Sequence, residues 1–409
     1  VSAASTIRTL KVGAYGRPVG TLAQTPEHEI FFEYSPGWLV DGFSISPYHL
    51  PLTPGLKREG TLIFDGLFGA FDDSLPDGWG LLLMDRFFRA RGVSPEALSP
   101  LDRLAFVGDH GMGALEYLPA NAEAAAPGGT MDLAAIAAQA ERIVAGSAEE
   151  ALPALRAGGG SSGGSRPKVF VAYNPSNGRV SSDLANLGEG FEHWLVKFRA
   201  KEDPEDAGPI EAAYAAMAEA AGIAFPPHRL FETKAGRFFG VQRFDRGPGG
   251  LRVHTHTFGG MVHSHFRHPN RDYQELLEVT FSATKDFKQV GQAFRRAVFN
   301  VLAHNRNDHV KNHSFIADRT GRWRLSPAFD LTYSAGIVGQ HNMTVAGSGN
   351  PGVPELLALA RASGIRPREA SALIASVSAA LGRWPEFAET AKVSPSSTAM
   401  VAASLVRAP

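Results

Sequence analysis

The chain contains no cysteine in 409 residues. That excludes disulfides, zinc–thiolate centres and thiol catalysis, and makes a reducing cytoplasm the expected setting. No sign of charge predominates either: 40 Lys and Arg against 41 Asp and Glu leave a formal net charge of −1. The chain as a whole therefore carries no electrostatic footprint for nucleic acid, and contact with DNA is expected through a partner. No apolar run is long enough for a membrane span. The opening segment, Val1 to Gly16, has no charged stretch followed by an apolar one, so a secretory signal is not expected.

What is present is the balance of a soluble globular protein, 44% hydrophobic and 20% charged. The length exceeds that of one ordinary domain and can bury an ample core, so two lobes or domains are expected. Short strand-like runs at Thr9–Gly13 and Glu29–Tyr34 are punctuated by Gly and Pro turns. A helix follows Pro76-Asp77-Gly78, from Trp79 to Ala90, apolar over much of its circumference. Met131–Leu155 is Ala-rich and helical, with Asp132 as its cap. A glycine-rich loop, Ala157 to Lys168, then leads into strands at Val169–Tyr173 and His193–Phe198. A helix at Pro209–Gly222 and a strand at Phe238–Phe244 follow, and the remainder is mostly helical. The pattern predicts an α+β fold.

The chemistry concentrates in one polar interruption of that helical region. A helix at Val290–His304 ends in Asn305-Arg-Asn-Asp-His-Val-Lys-Asn312. A hairpin (Ser314–Ile316, Arg322–Leu325) and then Pro327-Ala-Phe-Asp330 come next. Phosphoryl transfer needs a carboxylate to position the attacking hydroxyl and oxygen ligands to hold Mg²⁺ against phosphates. An Asn about five residues past the base and an Asp after a hairpin supply such ligands in protein kinases, which points to Asn312 and Asp330. Taken alone, a polar loop after a helix is more often a solvated turn. Lys197, on the apolar strand Trp194-Leu-Val-Lys-Phe198, is either a phosphate ligand or a lysine on a solvent-facing edge. The glycine-rich loop matches neither G-x-G-x-x-G nor the Walker pattern, and its composition suits a linker as well as a phosphate cradle. Loop, strand lysine, polar loop and late Asp nevertheless follow the order of a kinase domain.

These segments resemble the HipA family, kinase toxins of bacterial toxin–antitoxin pairs. The resemblance rests on Ser74–Gly78, Gly108–Ala114, Ser161–Lys168, Trp194–Phe198, Glu211–Ile223, Val241–Arg246, Asn307–Phe315 and Ser326–Asp330. It implies an N-terminal subdomain (1–125), an ATP-binding lobe with the glycine-rich loop (126–245) and a mostly helical C-terminal lobe (246–409). It implies ATP and Mg²⁺ as cofactors and Ser/Thr phosphorylation as the activity. Lys168, Lys197 and His309 would serve the phosphates. Gln242 to Phe244 would read adenine, and Asp245 would reach the ribose or brace that hinge; an ordinary surface charge cluster with Arg243 and Arg246 is the alternative. Glu211 would pair with Lys197 or cap its helix. Ser161, or its neighbour Ser162, would be autophosphorylated to silence the enzyme. The implied partner is a small helix-turn-helix antitoxin that brings the complex to operator DNA. The implied substrate is a translation component such as an aminoacyl-tRNA synthetase.

One position departs from the family's loop, N-x-D-D-H-x-K-N: its first Asp, the catalytic base, is Asn307 here, and the second is kept as Asp308. An amide cannot take the substrate proton. Three readings follow: a change engineered to silence a toxin, a pseudokinase that binds nucleotide and antitoxin without turnover, or Asp308 acting as the base in a shifted loop.

Overall fold

The alternation in Thr9–Gly13 is realised as strand β1 (Thr9–Ala14), with Leu10, Val12 and Ala14 buried and the residues between them more exposed. Tyr15 and Gly16, at φ 56° and 73°, make the two-residue turn that returns the chain as β2 (Arg17–Gln24), antiparallel to β1. With β3 (Ile30–Tyr34), β4 (Lys57–Arg58) and β5 (Leu115–Leu118) they form a sheet of order β4-β3-β2-β1-β5.

The computed structural model describes residues 7–121, 129–146, 164–200 and 202–406. It divides into two compact units, both discontinuous in sequence. The first takes Val1–Asp203, Phe231–His256 and Ala317–Gly321, and the second takes Pro204–Leu230, Thr257–Ile316 and Arg322–Pro409. The architecture is α+β, with mixed sheets and helices.

Besides the N-terminal sheet, the first unit holds helices α1 (Gly78–Arg89), α2 (Pro100–Val107) and α3 (Leu133–Val144). The Asp132 side chain caps α3, accepting from Ala134 N–H at 2.9 Å. The part of the expected helix beyond Gly146 lies outside the described residues. A second sheet has the order β7-β6-β8-β10-β9, from β6 (Lys168–Tyr173), β7 (Val180–Ser181), β8 (Glu192–Lys197), β9 (His228–Thr233) and β10 (Gly236–Gln242). Val169, Val171 and Tyr173 of β6 and Trp194 and Val196 of β8 join Trp79, Leu83 and Ile136 in one core cluster. That core takes one face of the sheet, since side chains alternate along each strand, and leaves the other face for different work.

The second unit is mostly helical: α4 (Ala207–Ala220), α5 (Tyr273–Thr284), α6 (Phe287–Leu302), α7 (Val353–Ala362), α8 (Pro367–Gly382), α9 (Trp384–Thr390) and α10 (Pro395–Ser404). Strands β12 (Ser314–Ala317) and β13 (Trp323–Leu325) are hydrogen-bonded neighbours, the expected hairpin; β11 is His254–Thr257. Helix α6 starts at its cap Asp286, which accepts from Lys288 N–H at 2.9 Å, and buries Val290, Phe294, Val298 and Val301. At its C-terminus the carbonyl of Ala303 accepts from the Tyr214 hydroxyl at 2.7 Å, and that of Leu302 from Val406 N–H at 2.9 Å. These bonds satisfy carbonyls that a helix end leaves open. His304, at φ 56°, then turns the chain into the polar loop. Among the described residues no helix is long and apolar enough to cross a membrane.

Two histidines of the first unit make stability depend on pH. Burial pushes the pKa of His193 down to about 4, helped by Arg243 and Arg246. Burial also pushes His254 down to about 4, although its imidazole hydrogen-bonds the Ile45 carbonyl at 2.8 Å. Unfolded, both take up a proton near their ordinary 6.5. Between those values protons bind the unfolded chain preferentially, so stability is full above pH 6.5 and drains away towards pH 4. Thermal midpoints measured across this window are expected to fall on acidification, and less steeply in His254→Gln; a flat profile would refute the assignment.

Candidate functional site

Lys168 opens β6 and Lys197 closes β8, and the antiparallel register sets them directly opposite each other. Both side chains therefore leave the sheet on the face away from the apolar core. They are 4% and 9% exposed, so Lys197 sits on an interior strand and not on a solvent-facing edge. Lys197 Nζ lies 6.0 Å from the ring centroid of Phe239, its register partner on β10. Like charges directly opposite across a ladder repel.

The approach to Lys168 is held from α1. Asp77 accepts from Gly164 N–H, Gly164 O accepts from Trp79 N–H at 3.0 Å, and Trp79 Nε1–H donates to Lys168 O at 2.9 Å. Gly78 has φ 43°, and a Cβ there would lie 2.6 Å from Gly164 O, so the contact needs glycine at this position of Ser74–Gly78. Ser161 and Ser162 lie outside the described residues.

At the end of β10, Gln242 is half-buried and Arg243 N–H donates to His193 O at 2.9 Å. Phe244 follows, half-buried, and then Asp245, fully buried. Asp245 Oδ1 accepts from Arg243 Nε at 2.9 Å. Its Oδ2 accepts from Arg243 Nη2 at 2.7 Å, Arg246 Nη1 at 2.6 Å and Gly113 N–H at 2.8 Å. Burial alone would raise its pKa, but the charges of Arg243 and Arg246 and these hydrogen bonds hold it far below the usual carboxylate range. Arg246 also donates to Gly111 O at 2.9 Å, and Arg252 to Gly113 O at 3.2 Å. The Arg243 guanidinium lies 3.9 Å from the Phe170 ring centroid. The cluster is thus interior, not a surface group of charges, and the Asp245 carboxylate ties the end of β10 to the Gly111–Gly113 loop.

In the second unit the polar loop has two sides. Asn307 is exposed, whereas Asp308 is wholly buried. Asp308 Oδ2 accepts from Tyr273 Oη and from His341 Nδ1, each at 2.9 Å, and Oδ1 from Asn342 N–H at 2.9 Å. Asp308 is thus enclosed, and Asn307 is the member of the pair that faces outward. Asn312 donates its Nδ2 amide to Asn307 O at 2.7 Å, closing the loop and leaving Oδ1 for another partner. His309 lies beside Phe266, with ring centroids 5.4 Å apart. Asp330 is half-buried at φ 55°, a left-handed conformation that Asp adopts more readily than most residues. Glu211 is buried within α4. Tyr273, Asn300, His341 and Asn342 were invisible as site residues, because they come from three separate stretches of chain and belong to no motif.

The chain matches the family model for the HipA-like C-terminal domain over residues 160–384, just over half its length. It also matches the model for the HipA N-terminal domain over residues 10–118. Among solved structures it is similar to HipA in the Shewanella oneidensis MR-1 complex of HipA, HipB and operator DNA. That similarity has a TM-score of 0.71 at 18% identity, covering 97% of this chain and 94% of the other, and it shows a shared fold. The Helicobacter pylori proinflammatory kinase CtkA aligns at a TM-score of 0.34 and 12% identity, over 52% of this chain and 90% of that one, too low to argue from. The comparison with curated proteins gives no match.

Removing one member of the buried cluster leaves two interior guanidiniums uncompensated. Asp245→Ala is expected to destabilise the fold by about 3–5 kcal/mol, read as a shift in the urea unfolding midpoint. A shift no larger than that of a surface Asp→Ala control would show that the carboxylate does not hold the hinge.

Proposed function

The chain belongs to the HipA family, and from that premise we propose that it is built as an ATP-dependent Ser/Thr protein kinase toxin, silenced here by Asn307. The observation that carries this reading is the Asn312–Asn307 hydrogen bond of 2.7 Å. It fixes the side chain of Asn312 by its nitrogen and reserves its oxygen, the donor a hard cation takes.

In this reading Asn312 Oδ1 and the Asp330 carboxylate hold Mg²⁺, and both are oxygen donors of the kind that ion selects. Bound with ATP, the ion would neutralise charge on the transferring phosphoryl group. Lys168 and Lys197 bind the phosphates from their shared face, and His309 also serves the phosphates. The backbone of Gln242 to Phe244 reads adenine, and Asp245 keeps that hinge in place through its arginines. An aspartate at position 307 would orient the acceptor hydroxyl and take its proton; Asn307 can orient but cannot accept. Ser161, with Ser162 as the fallback, is the site of autophosphorylation. The protein substrate is a translation component such as an aminoacyl-tRNA synthetase. The partner is a HipB-like helix-turn-helix antitoxin, which contacts operator DNA for a toxin that is itself nearly neutral.

The inward-turned Asp308 also favours a second reading, a nucleotide-binding pseudokinase acting with its antitoxin as co-repressor. Restoring the base separates the two. Incubated with Mg-ATP, the Asn307→Asp form is expected to gain phosphate by intact mass, mapping to Ser161 or Ser162. The chain with Asn307 is expected to be slower by about 10²–10⁴-fold, the usual worth of a general base. ATP binding without phosphate gain in either form would overturn the kinase reading and leave the pseudokinase.

A further inference from the structure

A directed chain of buried hydrogen bonds runs under the polar loop of the second unit. Asn305 Nδ2 donates to Asn300 Oδ1 at 2.9 Å, and Asn300 Nδ2 donates to Tyr273 Oη at 2.8 Å. Tyr273 Oη donates in turn to Asp308 Oδ2 at 2.9 Å. Tyr273 and Asp308 are 0% exposed, and Asn300 and Asn305 are 1% exposed. The direction of the chain is not arbitrary. An ionised carboxylate only accepts, so Tyr273 must give its proton to Asp308 and take its own hydrogen bond from Asn300. Asn300 must then present Nδ2 to the tyrosine and Oδ1 to Asn305. One charge at the end orients every group before it, and each donor polarises the next. Burial, the Asp308 charge and the hydrogen bond given to Asp308 all push the Tyr273 pKa well above its ordinary value, so the hydroxyl stays a donor.

From the other side, Asn342 spans the same loop. Its backbone N–H donates to Asp308 Oδ1 and its Nδ2 to Arg306 O, both at 2.9 Å. His341 adds its Nδ1 to Asp308 Oδ2 at 2.9 Å. Residues 305, 306 and 308 are therefore each tied to the interior, and the carbonyl of Asn307 is tied to Asn312. The exposed side chain of residue 307 is the one part of this stretch left to face a substrate.

We propose that Tyr273, Asn300 and His341 are positioning residues: through Asp308 they form a rigid frame that fixes where the side chain of residue 307 stands. This rests on the kinase reading for its catalytic consequence, but the frame itself is independent of that reading. Asp308 acts in it as an anchor, and the base, when present, is residue 307 alone.

Tyr273→Phe cuts the chain between Asn300 and Asp308 while keeping the ring and its volume. In the Asn307→Asp background, autophosphorylation is expected to slow by about 10²-fold, the usual cost of a small misplacement of a catalytic group. The KM for ATP is expected to stay within about twofold, since no nucleotide ligand is touched. Amide exchange at residues 305–309 and at Asn342 is expected to accelerate in both backgrounds, with exchange in α7 to α10 unchanged. As a conservative check, His341→Asn, which retains a donor near Nδ1, should keep the rate that His341→Ala loses. An unchanged kcat with unchanged loop exchange would overturn the proposal. So would parallel loss of kcat and ATP affinity with faster exchange everywhere, which is the mark of general destabilisation. If Asn307→Asp alone transfers no phosphate, the kinase reading fails, and loop exchange in Tyr273→Phe then decides the frame by itself. If Tyr273→Phe does not fold, the His341 pair carries the same test.

Discussion

A carboxylate removed from water costs several kcal/mol unless donors replace the water it has lost, and each unit holds such a group at the centre of a hydrogen-bonded cluster. In the first, Asp245 draws in Arg243, Arg246 and the N–H of Gly113. The arginines must come from its own neighbourhood in sequence, so the end of β10 curls into a tight knot. The remaining donor comes from the N-terminal segment, so the end of β10 is tied to the Gly111–Gly113 loop. In the second unit Asp308 collects Tyr273, His341 and the N–H of Asn342. Three stretches of chain far apart in sequence meet at that one charge.

The same requirement explains why adjacent residues in the polar loop take opposite roles. Position 308 is bound from within and position 307 is exposed. A base must present its lone pair to a substrate, whereas an anchor must have every lone pair occupied. No single side chain meets both demands. On the proposed reading the paired acids at these two positions would divide the labour, with the first carrying the chemistry and the second the frame. Lys168 and Lys197 are set opposite each other on a face that the apolar core does not occupy.

Much of this was legible in the sequence where local rules govern. The α+β class, strands β6 and β8, helix α6 and the hairpin that follows it all came from periodicity and turn residues, with ends displaced by up to three residues. Ends are set by individual hydrogen bonds, such as Tyr214 to Ala303, which no local pattern reveals. The order of the glycine-rich loop, the strand lysine, the polar loop and Asp330 pointed to phosphoryl transfer, because that chemistry needs those groups in any setting. Lys197 shows the limit. Its strand could be read from residue types, but whether that strand lay inside the sheet or at its edge depended on β10 pairing from more than forty positions away.

The sequence by itself determined the chemical inventory: no thiol, a lysine closing the glycine-rich loop and another on an apolar strand, oxygen donors at 312 and 330, and an amide at 307 where the family carries an acid. These are properties of composition and spacing, and no folding can alter them. Only tertiary structure decided how the two acids at 245 and 308 are surrounded. From the sequence, Asp245 was open between a ribose contact, a brace and a surface charge cluster, and Asp308 entered as the base only if the loop shifted. The role of a carboxylate is set by which donors surround it, and those donors are brought together by burial across the whole chain.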